Sequence, residues 1–145
     1  MEIMSKFHTS LLTSIAVLGV LGVATLASSL PAFAVEGPTL PSSAKKLTKD
    51  QIIAFMDGKT FKYKSYNHEK LTMGLTTFDF KGMKVSGTYS DKGIMKKYSG
   101  QPLSMNGDVY CYDKSCPSDA GSVYLDGSTI YEVKGDGKVG EVLTK

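Results

Sequence analysis

Beyond Gly58 the chain changes its period. Thr60 to Tyr66 alternates, with Phe61 and Tyr63 facing one way and Lys62 and Lys64 the other, the two-residue repeat of a half-buried strand. Turn signals then interrupt the chain roughly every 8 to 15 residues, with no second helical pattern. Asn67–Lys70 is a polar turn, Leu71–Phe80 a strand in which Gly74 marks a bulge or bend, and Met83–Tyr89 the next strand. Ser90–Gly93 turns the chain into Ile94–Tyr98, and Pro102 delays the start of the next strand. Asn106-Gly107 joins Leu103–Met105 to Asp108–Tyr112, and Asp126-Gly127 joins Ser122–Leu125 to Ser128–Val133, the strongest short-range hairpin signals. Gly135-Asp136-Gly137 precedes a last strand, Val139–Leu143. This pattern predicts a mainly β fold, an antiparallel meander of seven to nine strands. Its edges need hiding, so a small barrel-like sheet with one short N-terminal helix packed on it is expected. A membrane-spanning barrel needs an unbroken outward apolar band, whereas Lys62, Lys64 and Lys84 fall on outward positions.

That helix is signed at both ends. Thr48 and Gln51 have the spacing of a capping box, and Leu47 and Ile52 that of a hydrophobic staple. Asp50 suits the positive end of the helix dipole, Ile52, Ile53, Phe55 and Met56 give an apolar face, and Gly58 is a stop. Upstream, residues 35–46 carry two Pro, a Gly and two Ser and read as a flexible leader. Residues 1–34 combine Lys6, an uncharged apolar run from Leu11 to Leu26, and the small residues Ala32 and Ala34. This is the layout of a secretory signal peptide cleaved before Val35. The run falls short of the ~20 residues a spanning helix requires, so no stable membrane anchor is expected after cleavage. One domain, 47–145, then works in the periplasm or outside the cell.

The net charge is +3, and the chain contains no Arg. Arg is the side chain that reads phosphates and guanine edges bidentately, and the Lys are interspersed with acids, so nucleic acid is not an expected partner. Cys111 and Cys116, the two cysteines, are separated by four residues. A zinc site needs about four ligands, and His68 in a distant turn is the one histidine after residue 34. Neither a metal nor a cofactor is expected. In an oxidising compartment, a hairpin loop over Tyr112–Ser115 bringing the cysteines into a structural disulfide fits better. Acids lie singly, many beside Gly in turns; Glu132 and Glu141 are among them, and no pair stands out for acid–base work.

All eight Tyr lie beyond residue 34, almost entirely on expected strands, while Trp is absent. Strand propensity accounts for such a distribution, and so does an aromatic face that meets a ligand. Tyr110 and Tyr112 share a face opposite the cysteines and, if Val109 points inward, are exposed. With Asp113 and Lys114 at the loop tip, they are the candidate binding residues.

Leu47-Thr48, Gln51, Gly58-Lys59-Thr60, Gly87-Thr88-Tyr89, Cys111 and Cys116 occur in an order that resembles a family of small exported proteobacterial domains of unknown function. The resemblance spans roughly 47 to 133 and implies a secreted β-rich domain without transferring an activity. The expectation is a non-enzymatic binding domain with one structural disulfide, whose partner is a protein, a glycan or a small apolar ligand. Two alternatives are an inhibitor of an enzyme such as lysozyme, presenting Asp113 and Lys114, and a small hydrolase built on His68 and carboxylates.

Overall fold

A computed structural model of the chain describes residues 35–66 and 71–145. Residues 1–34, expected as a signal peptide, and the expected turn Asn67–Lys70 with His68 lie outside the described residues. In chain order the elements are β1 (Lys45–Lys46), α1 (Lys49–Met56), β2 (Thr60–Ser65), β3 (Thr72–Asp79), β4 (Lys84–Asp91) and β5 (Ile94–Pro102). There follow β6 (Ser104–Asn106), β7 (Val109–Cys111), β8 (Gly121–Asp126), β9 (Thr129–Lys134) and β10 (Val139–Thr144). Eight strands form one antiparallel sheet in the order β1-β8-β9-β10-β2-β3-β4-β5, and β6-β7 make a separate two-stranded hairpin.

The mainly β architecture with one short helix is as expected from the sequence, but the sheet is not a barrel. Its edges, β1 and β5, do not pair with each other. β1 has two residues to offer. After β5 the chain departs through buried Leu103 into the β6-β7 hairpin, whose Tyr110 joins the core. The hairpin and the helix thus cover one face of an open sheet, an alternative to closure.

The helix forms where its caps require it. Thr48 caps it from an extended conformation, its hydroxyl accepting from the Gln51 amide while the Gln51 side chain accepts from the Thr48 amide. Leu47, Ile52 and Met56 enter the core, as an eight-residue helix must to persist at all. Both its ends are tied to neighbours. The Lys49 amide donates to Asp108 Oδ1 at 2.7 Å, in the β6-β7 turn, and the Gly58 amide donates to the Phe78 carbonyl at 2.9 Å.

Alternation places Phe61, Phe78, Val85, Val123, Ile130 and Leu143 beneath the helix and hairpin, all fully buried. Phe78 is their hub: its ring lies 6.1 Å from Phe61, 5.7 Å from Phe80 and 5.4 Å from Tyr110. Three local expectations are corrected. The β2-β3 register runs through Gly74 without a shift, so that glycine is no bulge. The β6-β7 loop is Gly107-Asp108, because Asn106 pairs with Val109; a positive φ at Gly107 alone is the type II′ arrangement. Within 35–46, the segment expected as a leader, Lys45 and Lys46 pair with Leu125 and Tyr124.

Candidate functional site

The inner face of the sheet is apolar at the helix end and hollow at the other. Two glycines lie across from its tyrosines. Gly74 faces Tyr63 on β2 and Tyr89 on β4, and Gly87 faces Thr76 on β3 and Tyr98 on β5. Where the sheet has no side chain, the neighbouring tyrosines lean over the gap; the rings of Tyr89 and Tyr98 lie 6.3 Å apart. The result is a half-open cleft of about 460 Å³, lined by Tyr63, Tyr89, Tyr98 and Tyr112, with Ser65, Thr72, Thr76, Gln101 and Glu141. The volume falls within the range of small-molecule sites.

Glu141 lines the cleft, and a second acid, Glu132, stands beside it outside the lining. β10 carries a bulge between Val139 and Glu141 that sets Glu141 directly opposite Glu132 of β9, on the same face. Glu141 is only 5 % exposed. The hairpin reaches down onto both. The Tyr112 hydroxyl lies 2.7 Å from Glu141 Oε1 and 3.0 Å from Glu132 Oε1, and Tyr110 donates to the same oxygen of Glu132. A phenol has one proton to donate. Both contacts of Tyr112 are therefore hydrogen bonds only when one carboxyl group is protonated and donates to the phenol oxygen.

Electrostatics agrees with that geometry. Burial pushes the Glu132 carboxyl from its ordinary 4.5 up to about 7, with the tyrosine hydrogen bonds pulling the other way. Burial, then the charge of Glu132, raises Glu141 well above the usual carboxylate range, against the bonds from Tyr112 and Ser65. Burial also raises Tyr63 to about 12, helped by Tyr98 and Glu141, and drives Tyr110 and Tyr112 well above an ordinary phenol. The tyrosines stay neutral donors. Among the described residues, no ammonium group contributes to the shift of either acid. Thr76, 2 % exposed, sits near the Tyr98 hydroxyl but makes no hydrogen bond of regular geometry.

The residues singled out from sequence divide. Tyr112 lines the cleft. Tyr110 does not present its ring to solvent: it is 5 % exposed and packs edge-on against Phe78 and Phe80, supporting the floor from beneath. Val109 is buried as well, so the inward-pointing Val109 does not leave Tyr110 exposed. Asp113 and Lys114 are exposed on the loop closed by the Cys111–Cys116 disulfide. That loop is not a hairpin, since Cys116 lies on no strand; the Asn106 side-chain amide holds its carbonyl at 2.9 Å. Among the described residues, no three His, Cys, Asp or Glu side chains gather where they could hold a metal ion. Sequence pattern does not single out Glu132, Glu141 and the tyrosines of β2, β4 and β5 as a site; the fold brings them together. No family model, curated protein or solved structure matches this chain.

Proposed function

We propose that this protein is an exported, non-enzymatic binding domain whose ligand enters the tyrosine-lined cleft. One observation carries the reading: four tyrosine rings converge on a half-open hollow of about 460 Å³ that also exposes hydroxyl and carboxyl groups. Rings give contact area at little conformational cost, and the polar groups give orientation. Export is supported by the apolar run before Ala32 and Ala34 and by a disulfide that suits an oxidising compartment. The resemblance to small exported proteobacterial β-domains points the same way. The disulfide loop and the hairpin beneath it act as the wall that holds Tyr112 over the acids.

Because the chain has no Trp, its emission comes from tyrosine, and four of its eight tyrosines line the cleft; the ring NMR signals tell them apart from the other four. A panel of organic amines, oligosaccharides, short peptides and fatty acids is titrated while that emission and the tyrosine ring NMR signals are followed. At least one class is expected to shift the signals of Tyr63, Tyr89 and Tyr98 saturably. Replacing Tyr98 by Ala is expected to weaken that ligand about tenfold or more, the order of one lost aromatic contact. Shifts confined to residues outside the cleft would refute the reading.

A further inference from the structure

Among the described residues no cation is bonded to the acid pair: Lys134 shares a small hollow with Glu132, but its ammonium lies 3.9 Å from Asp136 Oδ2. Buried carboxylates are ordinarily paired or bound to a metal, yet Glu132 and Glu141 meet each other, Tyr110, Tyr112 and Ser65 instead. The other groups facing them from the packed elements are neutral phenols and alcohols: Tyr63 and Ser65 from β2, Thr76 from β3 and Tyr98 from β5. The cleft that Glu141 lines is walled by tyrosine rings. Such rings present negative quadrupoles and attract a cation held within ~6 Å of the ring centre. Among the described residues, no Lys lines the cleft. The exposed oxygens, the rings and the uncompensated acids all favour one sign of charge.

We infer that the cleft is a cage for an organic ammonium group, held between the faces of Tyr63, Tyr89 and Tyr98 with its charge directed at Glu141. The inference rests on the cleft being a ligand site and adds the class of ligand. A neutral sugar would leave the carboxyl pair as it found it, and an anion would be repelled. An ammonium supplies the missing positive charge. It also alters the proton balance. In the empty site the pair keeps a proton to satisfy the Tyr112 bridge; a cation at Glu141 favours the ionised form. Binding therefore takes up one cation and sheds one proton to solvent, leaving the charge of the site unchanged.

This linkage sets the pH dependence. Where the empty site still holds the proton at Glu141, whose carboxyl is raised well above the usual carboxylate range by burial and then by Glu132, affinity rises about tenfold per pH unit. Once that proton is gone, affinity levels off. Glu132→Gln removes the like charge, so Glu141 ionises more easily and the plateau begins at lower pH. Glu141→Gln removes the carboxylate that the cleft exposes.

The test compares choline with its neutral carbon isostere, 3,3-dimethylbutan-1-ol, by titration of the tyrosine ring signals at pH 8 and across pH 5 to 8. Choline is expected to bind about tenfold or more tightly than the isostere. Calorimetry in buffers of different ionisation enthalpy is expected to show one proton released at pH 6. In Glu141→Gln the preference for choline should vanish while the isostere still binds, which also reports that the variant is folded. Equal binding of the two probes would overturn the ammonium assignment and leave the cleft as a ligand site. So would cleft shifts with neutral oligosaccharides and none with choline. No shift with any probe or panel member would overturn both readings.

Discussion

Glu132 and Glu141 stand opposite each other on adjacent strands, and their burial has a consequence for the protein without any ligand. A group whose folded value lies above its unfolded one holds a proton in the native state that the unfolded state has released. For Glu132 this happens between about pH 4.5 and about 7. In that window the unfolded chain binds fewer protons, so stability falls as pH rises. Glu141, raised well above the usual carboxylate range by burial and then by Glu132, adds a loss of the same sign. From the displacement at Glu132 alone the loss is on the order of 3 kcal/mol. The protein is therefore expected to melt at a higher temperature at pH 5 than at pH 8, and Glu132→Gln to flatten that difference and raise the melting point at pH 8. A profile in wild type that rises from pH 5 to 8 would remove the buried pair. Sequence could not announce this pair. The two acids are visible at Glu132 and Glu141, flanking the Gly135–Gly137 turn, but a bulge at Gly140 decides that they meet, and single-residue bulges leave no periodic trace. The capping residues Thr48 and Gln51, by contrast, are fully legible, because a capping box acts within three residues.

Glycines shape the sheet as an element. Gly87 lies on β4 where a Cβ would stand 1.9 Å from the Leu75 carbonyl oxygen of β3 and 2.8 Å from the Tyr98 hydroxyl of β5. The second of these could swing aside; the first is backbone, and the β3-β4 pairing would have to part. Gly87→Ala is expected to lower stability by about 1–3 kcal/mol, measured by urea unfolding, and to perturb the Tyr98 ring signal. A neutral effect on both would show that this end of the sheet yields easily. The strand positions can be read in advance because alternation and turn residues are local: β2, β8, β9 and β10 begin and end within two residues of expectation. The hollow cannot. Register sets Gly74 opposite Tyr63 and Tyr89, and Gly87 opposite Tyr98, and Gly74, read alone, has the signature of a bulge or bend. Tyr110 departs from expectation for a related reason. Its face depends on where the hairpin docks, and the hairpin docks on Phe78 and Phe80, which are distant in sequence.

For the molecule as a whole the decisive strand is the last. The sheet consists of two meanders, β2 to β5 and β8 to β10, and the β10-β2 ladder joins them, from Glu141 opposite Ser65 to Thr144 opposite Lys62. β10 thus sits inside the sheet, buries Val139 and Leu143, and carries Glu141 of the cleft. Removing it would expose the edges of β9 and β2 together with the core residues Phe61 and Ile130 beneath them. The helix and hairpin cannot substitute, because they cover the face and do not supply backbone partners for a strand edge. A chain ending at Lys138 is therefore expected to lose cooperative unfolding and the dispersion of its amide NMR signals, whereas one ending at Thr144 should keep both. If the chain ending at Lys138 still unfolds in one sharp transition, the helix, the β6-β7 hairpin and the β1-β8 pairing hold the meanders together by themselves, and the ladder is not the join. The same connectivity assigns folding its slow step. Pairing β10 with β2 closes nearly the whole domain, a contact between distant parts of the chain that forms late because its loop entropy must first be overcome. The cleft is assembled by that pairing, so Tyr63 on β2 and Glu141 on β10 come together only when the fold is complete.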